Sequence, residues 1–438
     1  MRFYNREEEI KLIRRTEEKS LSSACFTVIM GRRRVGKTTL LRKALEGKRY
    51  IYLFVSRTNE ALLCDAFKKE IMDKLSIPIY GTPTRFIELF ELLMQQASRE
   101  HFTLIIDEFQ DFDRVNPSIF SDIQNLWDQY SSQAKINFIV CGSIYSLMKH
   151  IFEDRKEPLF GRLTSKFILK PFRTSVLIEI MQEYNPAFTP EDLLCLYTLT
   201  GGVAKYVSLL MDAGAFTKDS MIDFVTQPDS PLLTEGKDML IQEFGRDYST
   251  YFSILQLIAS GSTRQSEIDS VIGKNSGPYL KNLSEDYSLI QRQLPLLSKP
   301  GARNLRWFMS DNFLNFWFRF IYPHQSAIEL EKYDLLNEYI KEHYVQYSGW
   351  MLEKYFREKV AETMDVTQVG NYWDSKGENE IDLIALNDFK KEGIVAEVKR
   401  NPNKISYSTL AQKVANLPKE YSKYNLTLKG FSLEDMTK

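Results

Sequence analysis

The stretch GRRRVGKTTLL, residues 31–41, constrains this chain more than any other. It directly follows the apolar run CFTVIM and fits the spacing Gly-x-x-x-x-Gly-Lys-Ser/Thr, with Gly31, Gly36, Lys37 and Thr38 at the defining positions. The glycines let backbone N–H groups turn inward around an anion, and a helix opening at Lys37 adds the positive end of its dipole. In such a loop Lys37 reaches the terminal phosphates of a nucleoside triphosphate, and the Thr38 hydroxyl offers a hard oxygen to Mg2+. Arg32, Arg33, Arg34, Val35 and Thr39 complete the segment expected to touch the nucleotide. The motif needs a strand before it and a helix after it, and both patterns are present.

A second apolar run, FTLIIDE, ends in Asp107 and Glu108. An acid at the carboxyl end of a buried strand belongs beside a phosphate loop, where Asp107 would hold the magnesium shell and Glu108 would orient or deprotonate the attacking water. The strand-like run YIYLFV lies between the two motifs, an arrangement of nucleotide hydrolases with an added central strand and a catalytic glutamate. The next run ends in CGSIYSLM, which puts Ser143 at the same sheet edge, either sensing the terminal phosphate or capping the following helix.

At 438 residues the chain is too long for one core. A formal net charge of -1 excludes a whole-molecule electrostatic nucleic-acid binder, so any DNA contact must come from a local patch. The four cysteines show neither CxxC pairs nor disulfide spacing, and the four histidines are scattered. With a charged N-terminus and no apolar run long enough for a bilayer, the expectation is a cytoplasmic protein with no membrane partner. Alternating strands and helices over residues 1–172 predict a parallel α/β core, and helices broken at Gly201 and Gly202 predict a lid over 173–240. Three helical patterns and a hairpin turning at Pro300-Gly301, beginning near Asp247, predict a winged helix within 241–325. Its DNA-contact candidates are Tyr279, Lys281, Arg292, Arg303 and Arg306, whereas the aromatic run Phe313, Phe316, Trp317, Phe318 and Phe320 reads as core.

The last segment, 326–438, contains GENEIDLIALNDFKKEGIVAEVK. Side chains alternate along a strand, so Glu380 and Asp382 share one face and Glu397 and Lys399 share another. Pairing the two strands would gather Asp382, Glu397 and Lys399, with a divalent metal between the carboxylates and the ammonium aimed at a phosphate or water. A half-exposed hairpin shows the same alternation, so a plain structural role stays open.

The motifs FYNREEEIKLI, GRRRVGKTTLL, LIIDEFQ, CGSIYSLM, PLFGRLTSKFILKPF, TGGVAKY and SDNFLNFWFRFIYP, in this order, resemble the AAA+/STAND-type ATPases of the archaeal ATPase family. The resemblance implies an α/β P-loop NTPase of the ASCE type, with helical lid, winged helix and C-terminal restriction-endonuclease-like domain. It also implies that Asn5, Arg6 and Glu7 lie near the adenine and ribose, that Arg162 approaches the terminal phosphate, and that Glu353 adds an acid to the nuclease-like site. The family usually has proline where this chain has Ala204. The expected activity is Mg2+-dependent ATP hydrolysis driving a switch that acts on DNA, with a protein partner or self-association. The rival expectation is a weakly hydrolysing regulator with an inert C-terminal domain.

Overall fold

The computed structural model describes residues 1–143, 145–244, 248–299 and 301–438; Ile144 of CGSIYSLM, the expected winged-helix start at Asp247, and Pro300 of the expected turn lie outside the described residues. The chain divides into two compact units, Asn5–Lys170 and Met1–Tyr4 with Pro171–Lys438.

The first unit runs α1 (Glu7–Ser20), β1 (Cys25–Met30), α2 (Lys37–Ala44), β2 (Tyr50–Phe54), α3 (Glu60–Leu75), α4 (Phe86–Ala97), β3 (Phe102–Asp107), α5 (Phe112–Val115), α6 (Ile119–Tyr130), β4 (Ile136–Gly142), α7 (Tyr145–Glu153) and β5 (Ser165–Ile168). The strands form one parallel sheet in the order β2-β3-β4-β1-β5. Every residue of β1, β3 and β4 is buried, as continuous apolar runs require when helices cover both faces, whereas the edge strands β2 and β5 alternate. Phe26 of β1 stacks on Phe138 of β4 with ring centroids 4.4 Å apart. Met30 is paired with both Gly142 and Ile168, and Phe54 with Asp107, so the carboxyl ends of all five strands emerge along one edge.

The second unit opens with helices α8 (Thr174–Tyr184), α9 (Pro190–Thr200), α10 (Ala204–Asp212), α11 (Lys218–Thr226) and α12 (Leu232–Phe244). Then come α13 (Tyr248–Ala259), α14 (Gln265–Ile272), α15 (Gly277–Glu285) and the antiparallel pair β6 (Ile290–Gln293) and β7 (Arg306–Met309). The aromatic run follows in α16 (Asn312–Phe316) and a π-helical turn, Trp317–Ile321. Its five aromatic side chains are at most 1% exposed, and the Trp317 indole donates to the Leu233 carbonyl at 3.0 Å, so they are core. After α17 (Gln325–Glu329), a single 31-residue helix, α18 (Tyr333–Thr363), buries Leu336, Ile340, Tyr344, Tyr347, Met351 and Tyr355, spaced three or four apart. The chain ends in β8 (Gln368–Trp373), β9 (Glu380–Asn387), β10 (Glu392–Lys399), α19 (Tyr407–Ala415) and β11 (Asn425–Ser432), a mixed sheet ordered β11-β10-β9-β8 in which only β10 and β11 are parallel. Glu362, near the end of α18, caps α8 by accepting from the Thr174 backbone N–H (3.0 Å) and hydroxyl (2.7 Å), which ties the first helix of this unit to its last domain. Among the described residues no helix is long and apolar enough to cross a membrane.

The helical break expected at Gly201-Gly202 lies between α9 and α10. Gly202 has φ of 74°, and a Cβ there would sit 2.3 Å from the Phe172 carbonyl oxygen. The Phe172 N–H also donates to the Gly202 carbonyl at 2.7 Å, so neither segment can retreat without losing that bond. Gly202→Ala should therefore destabilise this unit by about 3 kcal/mol. Calorimetry checks this, and a loss below about 1 kcal/mol would contradict it.

Candidate nucleotide site and a second acidic cluster

The loop from Gly31 to Lys37 joins the carboxyl end of β1 to α2. Gly31 lies so close to Leu169 that a Cβ would meet its carbonyl oxygen at 2.8 Å, and Gly36 enters the helix with φ of 101°. Val35 is buried beneath the loop, at 1% exposure. Lys37 folds over it and donates to the carbonyls of Gly31 (2.6 Å) and Arg32 (3.1 Å). Arg32 and Arg33 are half-buried, and Arg34 and Thr39 are exposed.

Thr38 is the first hydroxyl of α2, and its Oγ1 lies 3.4 Å from Oδ2 of Asp107 at the end of β3. The Tyr52 hydroxyl, from β2, donates to the same Asp107 oxygen and lies 3.5 Å from Thr38 Oγ1. Burial, and then the hydrogen bond to Asp107, push the Tyr52 phenol well above its ordinary range, so it stays protonated as a donor. Asp107 Oδ1 accepts from the Glu108 N–H at 2.9 Å. Glu108 sits in the left-handed region, with φ of 52°, and its Oε2 accepts from Ser143 Oγ at 2.7 Å and from Gln110 Nε2 at 2.6 Å. Thr38, Asp107, Glu108 and Ser143 are thus linked along the carboxyl edge. The Thr38 hydroxyl and Asp107 carboxylate are hard oxygen donors that suit Mg2+.

Asn5 and Arg6 both adopt positive φ at the start of α1, and Glu7 is its first residue. Arg6 is buried, pairs with Glu9 at 3.2 Å, and donates to the Lys170 carbonyl at 2.6 Å. Lys170 adjoins the Leu169 carbonyl that closes on Gly31, so Arg6 flanks the loop.

Arg162 lies apart from the loop of its own chain. Its guanidinium grips Asp128 in a two-pronged pair (2.9 and 2.7 Å) and also donates to the Pro158 carbonyl at 2.7 Å. The adjoining Thr164 and Ser165 pair with Phe26 and Thr27 near the start of β1, whereas the phosphate loop leaves its other end. Because β1 and β5 are parallel, Arg162 stands at the opposite sheet edge from the loop of its own chain.

In the second unit, β9 and β10 gather the C-terminal candidates. Lys399 Nζ lies 3.0 Å from Asp382 Oδ2 and 3.6 Å from Glu397 Oε1. Asp382 Oδ2 also accepts from the Val398 N–H (2.9 Å), and Glu397 Oε2 accepts from the Ser406 N–H (3.1 Å). Glu353 joins through Arg357, which pairs with it at 3.7 Å and donates to the Asp382 backbone carbonyl at 2.8 Å. Lys413, from α19, adds a second ammonium 3.6 Å from Glu397 Oε1. Burial lowers the Lys399 ammonium, but the attraction of Asp382 and Glu397 more than offsets it and raises its affinity for its proton. Lysine therefore sits between the expected metal ligands, and among the described residues no cluster of three or more His, Cys, Asp or Glu is arranged to hold a metal.

The chain is 33% identical over 409 residues to the uncharacterized protein MJECL04 of Methanocaldococcus jannaschii, spanning 91% of this chain and 87% of that protein. Residues 3–210 match the family described as an ATPase domain predominantly from Archaea, and residues 317–409 match one described as archaeal and bacterial proteins of unknown function. The chain belongs to this archaeal ATPase family. Two solved structures share its fold. The Walker-type ATPase paby2304 of Pyrococcus abyssi is similar at 19% identity, with a TM-score of 0.53, covering 72% of this chain and 96% of that one. The ORC2 protein of Aeropyrum pernix, solved as ADPNP–ADP complexes, is similar at 15% identity, with a TM-score of 0.52, covering 75% and 95%.

Within this ATPase-family chain, the DNA-contact candidates split. Lys281, Arg292 and Arg303 are exposed, with Lys281 3.9 Å from Glu285. Tyr279 is half-buried against Tyr251, with Lys274 over its ring. Arg306 is engaged elsewhere: it pairs with Glu380 and lies 4.7 Å over the Trp373 ring, which withdraws it from any free basic surface. Sequence reasoning passed over Tyr52, Gln110, Arg357 and Lys413. For Tyr52 a signal existed, a hydroxyl two residues before the end of a strand bound for the acidic edge. The other three sit on helices or turns whose facing direction only the fold reveals.

Burial, and then the Asp382 carboxylate, push the Glu353 carboxyl up to about 7. Between about 4.5 and 7 the folded chain keeps a proton that the unfolded chain has lost, so this group lowers stability as pH rises through that window. In chelator, Glu353→Gln should melt like the parent at pH 4.5 and about 2 °C or more above it at pH 8. A pH-independent difference in melting temperature would contradict the assignment.

Proposed function

We propose that this ATPase-family protein is a nucleotide-driven switch that binds and hydrolyses Mg2+-ATP at the Gly31–Thr39 loop and passes the bound state to a DNA-acting C-terminal half. The observation carrying the reading is the linked row Thr38–Asp107–Glu108–Ser143 along the edge from which the loop emerges. Lys37 would leave the loop carbonyls for the terminal phosphates, Thr38 and Asp107 would hold the metal, and Glu108 would take the proton of the attacking water. Bound magnesium supplies charge neutralisation at the phosphates. Arg6, beside the loop, supports a place for the N-terminal box at the base and ribose. Arg162, at the far edge of its own sheet, would serve a phosphate only in a neighbouring copy.

On this reading α13–α15 with β6 and β7 form the winged helix, offering Lys281, Arg292 and Arg303 to phosphates. The sheet of β8–β11 with α18 and α19 is restriction-endonuclease-like, with Glu353, Asp382, Glu397 and Lys399 as its site. The interposed Lys399 favours a second reading, a regulator whose C-terminal domain has lost cleavage, because a metal would have to displace the ammonium from two carboxylates.

Lys37→Ala should abolish tight ATP binding. Glu108→Gln should keep binding and lower turnover by about 100-fold or more, the usual contribution of a general base; undiminished turnover would remove Glu108 from that role. Incubation with plasmid and Mg2+ or Mn2+ separates the two C-terminal readings. Nicking lost in Asp382→Ala and Lys399→Ala supports the nuclease, and equal background in all three proteins supports the regulator.

A further inference from the structure

Tyr52 has no part in the reading above, yet its hydroxyl donates directly to the Asp107 carboxylate. Asp107 is 6% exposed, and both of its oxygens are engaged: Oδ1 by the Glu108 N–H and Oδ2 by the Tyr52 hydroxyl, with Thr38 Oγ1 3.4 Å away. A carboxylate held on one oxygen alone can swing about its terminal torsion, and one held on both cannot. The hydroxyl of a metal-ligating threonine must turn its lone pairs to the metal and its proton elsewhere. Asp107 Oδ2 is the acceptor within reach, and Tyr52 fixes where that acceptor stands. A hydrogen bond to a buried carboxylate is charge-assisted and directional, the kind of outer contact that orients ligands at metal sites. The donor comes from β2, whose Phe54 is paired with Asp107; Tyr52, two residues earlier on the same face, is placed by strand register rather than by a loop.

We propose that Tyr52 is a positioning residue of the magnesium site, its hydroxyl fixing Asp107 Oδ2 for the Thr38 proton so that the loop selects the metal–nucleotide complex over free nucleotide. The inference rests on the nucleotide reading of the loop. It concerns the gain in affinity that Mg2+ confers, not nucleotide affinity itself, which Lys37 and the loop backbone supply.

The test is a titration of the full chain with a fluorescent ADP analogue in excess Mg2+ and in EDTA, for the parent and Tyr52→Phe, with melting temperatures alongside. Tyr52→Phe removes one oxygen and keeps the ring, so the fold should be retained. The Mg2+-free dissociation constant should stay within twofold of the parent while the magnesium-dependent gain falls about tenfold, the effect of losing one charge-assisted hydrogen bond. The low-temperature EPR spectrum of Mn2+ bound with ADP should broaden in the variant as the ligand geometry loosens. An unchanged or larger gain in Tyr52→Phe would overturn the proposal, as would an equal weakening with and without metal. A parent that binds no nucleotide under either condition would instead overturn the nucleotide reading, and Tyr52 with it.

Discussion

The first unit is organised around the double hold on the Asp107 carboxylate. One oxygen takes the N–H of the next residue and the other takes the Tyr52 hydroxyl, with the Thr38 hydroxyl beside it. Burying an unpaired carboxylate is prohibitive, whereas one that accepts from several donors is stable at the end of a buried strand. The parallel sheet makes the hold possible. With every strand running the same way, the ends of β1, β2, β3 and β4 arrive at one edge, so residues far apart in sequence become neighbours without any long connecting loop.

The second unit meets the same electrostatic problem with cations. Glu397 is almost fully buried, and Lys399 and Lys413 each stand 3.6 Å from it while Lys399 also reaches Asp382. Removing either lysine would leave charge stranded in a low-dielectric interior. Glu353 lies on the long helix that also carries Glu362, the cap of α8. A change at the acidic cluster is therefore connected by one rigid element to the first helix of the same unit.

Some of this was legible in the residues. The phosphate loop is local: eight consecutive residues set their own backbone and announce the strand and helix on either side. Asp107 and Glu108 were legible because an acid ending an apolar run has few places to go in a parallel sheet. Strand alternation likewise put Asp382, Glu397 and Lys399 on one face, and Lys399 stands 3.0 Å from Asp382 and 3.6 Å from Glu397. The place of Arg162 was not legible, because motif order along the chain carries no information about which end of a strand a residue occupies. Only the pairing of Ser165 with Thr27 reveals that it lies at the amino edge. Arg306 looked like a free cation because nothing in its own segment predicts Glu380 and Trp373, more than sixty residues away. The long helix α18 starts at Tyr333, well ahead of the YSGWMLEKYF stretch that carries Glu353. Its first half buries Leu336, Ile340 and Tyr344 without a sharply polar opposite face.

Both candidate sites hold their cations against internal partners. Lys37 rests on two carbonyls of its own loop, and Lys399 on two carboxylates. The consequences differ in sign. A triphosphate offers Lys37 full negative charge in place of neutral carbonyl dipoles, so the exchange is downhill and the loop is poised for its ligand. A divalent metal entering between Asp382 and Glu397 must expel an ammonium already neutralising them, so that exchange trades one charge-assisted contact for another and gains far less. A phosphodiester would alter this balance by giving Lys399 a new anion as it leaves the carboxylates. The two lysines thus differ in what a ligand must displace, neutral carbonyl dipoles at Lys37 and two charge-neutralising contacts at Lys399.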